Sequence, residues 1–467
     1  MDDPLVMTID LGSSATKAAL WAPDGLVAIA RAPIATRTPR AGWAEQDPGT
    51  WWSSTVAACK RLPANDRRRV GVIGFSAQRE ALVPVGPAGD PIGSAIARQD
   101  GRAIEEAERL GDEFEVLTGV VPDPACAAAR LAWLRQHEPE RLEQARWILT
   151  PRDLVVLRLT GRAVTDPSVA SRTGLIAIDG ARLEGGELLP DLEASTAVVG
   201  ASLDDPSGAL GVDAGTPVVV GAGDRACEIL GVDASLARPM VSWGTTAGVA
   251  IPVPHVPPPS KGVLVTRGAV SGYVMEAGLS SAGAALAWVA ELTQANSVTL
   301  AAEAERIHPG ADGVLALPWL SGARAPWWES RVGMTFTGLA PHHSPAHLAR
   351  AVVEGVAFDA ARCLERSAPD AVELALAGGG AAMPLWRHVL SGVTSRPVAS
   401  HRHGEAASVG AALLAGRAAG VDLDREVLDP VERRETAPDD EVLAYAELRM
   451  RHEMVARATI DALSGPR

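Results

Sequence analysis

MTIDLGSSATKAAL at residues 7–20 and MVSWGTTAGVAI at residues 240–251 share one plan: a strand, a glycine, two small hydroxyl residues and a second strand. Gly12 and Gly244 are the equivalent glycines. They lie about half a chain apart, so the pattern implies a duplicated domain with a nucleotide bound between the copies. Two unrelated hairpins that happen to use the same turn are the competing reading. Length agrees with duplication, since a chain of 467 residues exceeds the roughly 250 to 300 at which single cores split.

Outward from the first hairpin, LVMTIDL (5–11), TKAALW (16–21) and LVAIARA, which follows the turn PDG at 23–25, predict an antiparallel meander. VGVIGF (70–75) and PVVVGAG (217–223) then alternate with helical stretches such as RAIEEAERL, the pattern of an α/β fold. Ser344-Pro345 is a helix start, and Leu348, Val352, Val356 and Ala360 recur at helical spacing, so 345–367 is expected as a helix packed on a sheet. VELALAGGG (372–380) reads as a strand ending in a glycine turn before the helix PLWRHVLSGV. Residues 421–442, rich in acidic residues and proline, are expected as a surface connection before a final amphipathic helix.

Composition narrows the function classes. A net charge of -14 argues against a general nucleic-acid or anionic-membrane surface, so bound phosphate must be held locally. No apolar run is long enough to span a bilayer, and MDDPLVMTIDLG lacks the basic and apolar regions of a secretory leader. Cys59, Cys126, Cys227 and Cys363 are widely spaced and form no CxxC pair, which fits a reducing cytoplasm. Lysine occurs only at 17, 60 and 261 among abundant arginine, which draws attention to each.

Several residues have the chemistry of a phosphate and hydroxyl site. Asp10 stands at a strand end beside the turn Gly12-Ser13-Ser14, whose N–H and hydroxyl groups suit phosphate oxygens while the carboxylate holds Mg²⁺ through water. Lys17 adds a compact ammonium; an ordinary hairpin is the alternative. Gly244-Thr245-Thr246 is the matching loop of the second half, and the two loops together are read as a phosphate clamp. Gly378-Gly379-Gly380 ends a strand where backbone can lie against a nucleoside, or is a simple flexible turn. Asp224 follows an apolar strand, where it can accept a hydroxyl proton or merely cap the helix that begins at Arg225. Gln78, Arg79 and Glu80 offer donors and acceptors for a polyhydroxy compound, with surface ion pairing as the alternative. Arg98 and Asp100, in RQDGR, form a second substrate loop or a charged helix start.

Eight strings in order resemble the FGGY carbohydrate kinases, which include xylulose, gluconate, ribulose and glycerol kinases. They are IDLGSSATKAALW, GWAEQDPGTWW, GFSAQREALVPVGPAGDPIGSAIARQDGR, TPRDLVVLRLTG, VVVGAGDRACEILG, VSWGTTAG, LPWLSGARAPWW and LALAGGGAAMPLWRHVL, and they span nearly the whole chain. The resemblance implies an α/β protein of two actin-like ATPase domains with RNase-H-like cores, closing on ATP and sugar. It assigns residues 1–236 to a sugar-binding domain with the catalytic Asp and 237–467 to a nucleotide-binding domain. Asp224 matches the catalytic base, Asp10 the magnesium-associated Asp, and Gln78, Arg79, Glu80 and Asp100 the substrate segment. Gly12 to Ser14 and Gly244 to Thr246 match phosphate loops, and Gly283 in SSAGAALAW with Gly379 and Gly380 match nucleotide contacts. Asp10 and Asp224 are the expected Mg²⁺ ligands.

Three positions depart from that pattern. Arg98 replaces the common Trp of a W-x-D-x-R loop, Ala125 falls where glycerol kinases place a substrate-contacting Tyr, and Arg225 replaces an uncharged amide after the catalytic Asp. If Arg98 and Arg225 face the pocket they favour a carboxylate such as an aldonate; Arg225 paired with Glu228 or Glu80 removes that inference. GWAEQDP and LPWLSGARAP place D-xylulose first, with gluconate or another sugar acid or polyol as the alternative. A non-transferring ATPase or sugar sensor is the reading from a different class. A regulator's DNA-binding segment does not fit before residue 5, and both Asp10 and Asp224 are retained. The partner expected is a small sugar or polyol, without nucleic acid or membrane, and a homodimer is compatible with the chain.

Overall fold

The structure, a computed structural model, describes residues 4–464. Met1–Asp3, the acidic opening of MDDPLVMTIDLG, and Gly465–Arg467 lie outside the described residues. Contacts divide the chain into two compact units, one of Met1–Gly231, Pro254–Val274 and Glu405–Pro430, the other of Val232–Val253, Met275–Gly404 and Val431–Arg467.

The first unit is built on the strands β1 (Leu5–Leu11), β2 (Ala15–Ala22), β3 (Gly25–Pro33), β4 (Val70–Ala77), β5 (Val198–Ala201) and β6 (Pro217–Val219), in the order β5-β6-β4-β1-β2-β3. β1 to β3 form the expected antiparallel meander, and β4 and β6 run parallel to β1 and β4 respectively. Every residue of β1 is buried, as a strand covered on both faces requires. One cover is the helix Gly49–Lys60; the other is the helix Ala406–Ala419, supplied by the returning segment Glu405–Pro430. Val409, Ala412 and Ala415 of that helix pack with Val6, Val72 and Trp21, and Ser408 Oγ meets Thr8 Oγ1 at 2.6 Å.

The second unit repeats the design with β7 (Met240–Trp243), β8 (Thr246–Val253), β9 (Tyr273–Ser281), β10 (Leu374–Ala377), β11 (Val398–His401) and β12 (Val431–Glu435). Their order, β9-β8-β7-β10-β11-β12, matches β3-β2-β1-β4-β6-β5. The directions match too: β7 pairs antiparallel with β8 and parallel with β10, and the last strand is antiparallel in both units. The helix over 345–367 has the predicted bounds, Pro345–Ser367, with Ser344 and His347 closing a capping box. Residues 421–442 were expected as a connection but contribute the edge strand β12, whose Val-Glu-Arg-Arg-Glu sequence is too polar to show strand periodicity.

Candidate active site

In the first unit three strand ends converge. β1 ends at Leu11, β4 at Ala77, and the short extension Ala222–Gly223 pairs parallel with Ser76 and Ala77. Their carboxyl ends carry Asp10, Gln78 and Asp224, the place where open α/β sheets bind ligands. Asp10 stands opposite Lys17 on one neighbouring strand and Ser76 on the other. Lys17 Nζ lies 3.5 Å from Asp10 Oδ2 and donates to Glu405 Oε2 at 2.8 Å, and Arg31 pairs with the same Glu405. Burial raises the Asp10 pKa; Lys17 works against the rise and Asp224 adds to it.

Asp224 opens the helix Asp224–Gly231, and its Oδ1 accepts the Arg225 N–H at 2.7 Å. The capping and the chemical readings of Asp224 are thus compatible, because the side chain remains 42% accessible. The protein crowded around it raises its pKa; Arg79, with Nε 3.3 Å from Asp224 Oδ1, counters this, Glu80 adds to it and Arg225 counters it. Gln78 Nε2 donates to the Gly12 carbonyl at 3.2 Å, while its buried Oε1 has no hydrogen-bond partner. The turn below it is held by Gly12 N–H donating to Ala15 O at 3.0 Å, with Ser13 and Ser14 exposed.

Arginines surround Glu80. Burial alone would raise this carboxyl, but Arg98, Arg172, Arg79 and Arg130 hold it well below the usual carboxylate range. Arg172 Nε approaches to 3.3 Å and Arg98 Nε to 3.8 Å. Arg225 pairs with Glu228 at 2.7 Å. Both arginines flagged as departures therefore have carboxylate partners within the chain. Asp100 is also engaged: its oxygens accept from Arg102 Nε and Nη2, each at 2.8 Å, and from Ala44 N–H at 2.6 Å. Arg102 in turn stacks 3.7 Å from the Trp43 ring centroid. Asp100 thus fixes the RQDGR loop, and Arg98 reaches Glu80 from it.

Sequence reasoning missed Glu405, Arg130 and Arg172. Fully buried Arg130 ties the two substrate segments together by donating to the carbonyls of Glu80, Ala97 (2.6 Å) and Arg98 (3.2 Å). Nothing local marks these residues; the scarcity of lysine, which singled out Lys17, was the one available pointer to Glu405.

In the second unit the predicted nucleotide residues gather at the carboxyl ends of β7 and β10. Gly244, Thr245 and Thr246 form an exposed turn, with Gly244 N–H donating to Thr246 O at 2.8 Å. The helix Gly283–Leu292 starts against it, Gly283 N–H donating to Gly244 O at 3.0 Å and Ala284 N–H to Thr245 O at 3.0 Å. A Cβ at Gly283 would lie 2.6 Å from Gly244 O, so only glycine allows this approach. Gly378, at φ +78°, turns the chain so that Gly379 is exposed and Gly380 lies against the Trp243 ring.

Among the described residues no group of three or more His, Cys, Asp or Glu gathers as a metal cage. The donors present are the interacting carboxylates Asp10 and Asp224. This set fits Mg²⁺, which is commonly held by one or two carboxylates together with substrate phosphates.

The duplicated sheets superpose on those of ligand-bound xylulose kinase from Lactobacillus acidophilus with a TM-score of 0.91, at 22% identity and 99% coverage of each chain, which shows the fold. The protein is a two-domain α/β protein of the actin-like ATPase fold. Residues 5–231 match the N-terminal domain and residues 240–419 the C-terminal domain of the FGGY family of carbohydrate kinases. The chain is 32% identical to a xylulose kinase of Klebsiella pneumoniae over 469 residues, covering 94% of this chain and 96% of that one. It is 31% identical to a glycerol kinase of Citrifermentans bemidjiense over 457 residues, covering 89% and 90%. The chain belongs to the FGGY family of carbohydrate kinases. It is a phosphotransferase that uses ATP and acts on a small-molecule sugar substrate. Among the described residues no helix is long and apolar enough to cross a membrane.

Proposed function

We propose that this kinase transfers the γ-phosphoryl of ATP to a hydroxyl of a neutral ketopentose, D-xylulose first, with Asp224 as general base. The observation that carries the base assignment is the accessible Asp224 carboxylate at the strand ends, 3.3 Å from Arg79 and beside Gln78 with its unpartnered oxygen. Asp224 takes the hydroxyl proton as the oxygen attacks phosphorus, a role worth ~10² to 10⁴ in rate. Gln78, Arg79 and Glu80 bind the hydroxyls, while Asp100 positions the loop that carries Arg98. Gly12 to Ser14, Lys17, Gly244 to Thr246, Gly283, Gly379 and Gly380 hold the nucleotide, and Asp10 and Asp224 would hold Mg²⁺. When bound, Mg²⁺ neutralises charge on the phosphate oxygens.

A neutral substrate is favoured because Arg225 is paired with Glu228 and Arg98 with Glu80. A sugar acid is the second reading, favoured by Arg172 Nη1, a buried guanidinium donor with no hydrogen-bond partner. Sugar recognition by residues 1–236, nucleotide recognition by 237–467 and a cytoplasmic location belong to the same proposal; four buried, unpaired cysteines support the location.

The test is ADP release with Mg-ATP across D-xylulose, D-ribulose, L-ribulose, gluconate, glycerol and erythritol, with Asp224→Asn as control. Turnover of a ketopentose that falls by about 10² or more in the variant supports the proposal. Preferred turnover of gluconate replaces the neutral substrate with the acid, and an unaffected Asp224→Asn enzyme removes the base assignment.

A further inference from the structure

Asp224 hangs on the two-residue extension Ala222–Gly223, which pairs on one side with Ser76 and Ala77. A chain of buried polar groups holds the other side. Gly223 N–H donates to Ser168 Oγ at 2.9 Å, and Gly221 N–H to the Ser195 carbonyl at 3.1 Å. Ser168 Oγ donates in turn to Asp166 Oδ2 at 2.6 Å, and Ser195 Oγ to the same oxygen at 2.8 Å. Arg152 Nη1 donates to Asp166 Oδ1 at 2.6 Å. Arg152 and Asp166 are 0% exposed, Ser168 1% and Ser195 2%, so substrate touches none of them and any effect on the reaction must pass through the backbone before Asp224.

The chain has a direction. An ionised carboxylate only accepts hydrogen bonds, and the charge of Arg152 beside it in a dry interior keeps Asp166 in that form. Its Oδ2 is met by the hydroxyls of Ser168 and Ser195 and by the Ser168 N–H at 2.9 Å, while Oδ1 faces the guanidinium. The one hydroxyl proton of Ser168 is therefore committed to Asp166, which leaves a lone pair of Oγ for the Gly223 N–H. Gly223 is itself buried, so without that oxygen its N–H would have to move to find another acceptor. Arg79 closes the opposite flank: a Cβ on Gly223 would lie 2.5 Å from Arg79 Cδ.

We infer that Ser168, oriented by Asp166 and Arg152, is a positioning residue for the general base: it fixes Gly223 so that the Asp224 carboxylate meets the substrate hydroxyl at the reactive distance and angle. The inference rests on Asp224 being the base. A misplacement of about 1 Å in a reacting group can cost ~10² in rate, so releasing the peptide unit before Asp224 is expected to cost about tenfold or more.

Ser168→Ala and Ser195→Ala each take one hydroxyl from Asp166, but only the first takes the acceptor from Gly223, so the pair separates positioning from stability. Both should lower the thermal unfolding midpoint by similar amounts. With Mg-ATP and the sugar turned over fastest in the substrate panel, Ser168→Ala should lower kcat about tenfold or more and leave the KM for ATP unchanged, whereas Ser195→Ala should keep kcat within about twofold. Added to Asp224→Asn, Ser168→Ala should cost less than about twofold, because the group it positions is already disabled. Hydrogen exchange followed by mass spectrometry, which needs no turnover, should show the Gly223 amide exchanging about tenfold faster or more in Ser168→Ala and unchanged in Ser195→Ala. Equal kcat losses in the two serine variants, a full kcat loss when Ser168→Ala is added to Asp224→Asn, or an unchanged Gly223 exchange rate in Ser168→Ala overturns the inference. A crippled Asp224→Asn beside an intact Ser168→Ala overturns the inference alone; a fully active Asp224→Asn overturns the base assignment and the inference with it.

Discussion

Replacing His452 by Gln should change how stability responds to acid. The ring is fully buried; Nδ1 accepts from Arg362 Nη1 at 3.2 Å, so the proton sits on Nε2, which donates to Ala316 O at 3.1 Å. Burial, aided by the Arg362 charge, pushes its pKa down to about 3. Unfolded, the ring takes up a proton near its ordinary value of about 6.5, so between these values acid favours the unfolded chain. The stabilisation is complete above the unfolded value and is lost as pH falls toward the folded one. At about pH 5 the unfolded ring is about 1.5 units into its titration, and at 1.36 kcal/mol per unit the loss is about 2 kcal/mol relative to about pH 7.5. Gln keeps a donor and an acceptor but does not titrate. Urea unfolding followed by fluorescence of the buried Trp319 and Trp386 should therefore show the wild-type advantage over His452→Gln shrinking by about 2 kcal/mol between the two pH values. An advantage that is the same at both would refute the claim that burial keeps this ring neutral. Asp359, raised to about 6 by burial against the pull of Arg362, acts in the opposite sense. Its stabilisation is present in acid and lost as pH rises through about 6, which flattens the wild-type profile without altering the difference between the two proteins.

Gly378→Ala forces a Cβ to within 2.5 Å of Trp243 O at φ +78°, so the KM for ATP should rise severalfold with less change in kcat, read from initial rates. Asp100→Asn removes the carboxylate from the buried Arg102 fork; Glu45, at 2.8 Å, limits the loss to about 2 kcal/mol by denaturant unfolding, and the KM for sugar should rise as the RQDGR loop loosens. Glu405→Gln takes a charged acceptor from Lys17 and Arg31, with an expected loss of about 1.5 to 3 kcal/mol in the same assay.

Much of this architecture was legible because its signals are local. The two hairpins around Gly12 and Gly244 announced the duplication, and the strand orders repeat it strand for strand. The helix Pro345–Ser367 was readable from Ser344-Pro345 and a run of apolar residues at helical spacing. What stayed hidden depends on contacts between distant segments. Glu405 lies hundreds of residues from the Lys17 it binds, and the return of Glu405–Pro430 to the first unit leaves no mark on periodicity. Strand β12 was missed because an edge strand made of Glu and Arg has no apolar alternation to detect. At the site, residue types indicated which side chains gather but not which of them neutralise one another. Arg98 and Arg225 suit either a substrate carboxylate or partners within the chain, and Glu80 and Glu228 beside them fulfil the second alternative.

The scarcity of lysine has a practical side. Amine-reactive reagents attack only the neutral form, and Asp10 and Glu405 outweigh burial to hold Lys17 protonated. Lys60 and Lys261 are exposed, with Lys261 3.6 Å from the exposed Asp112. A lysine-directed dye or surface linker should therefore couple at those two positions and spare Lys17, so that the protein can be tethered while its nucleotide chemistry is still measured.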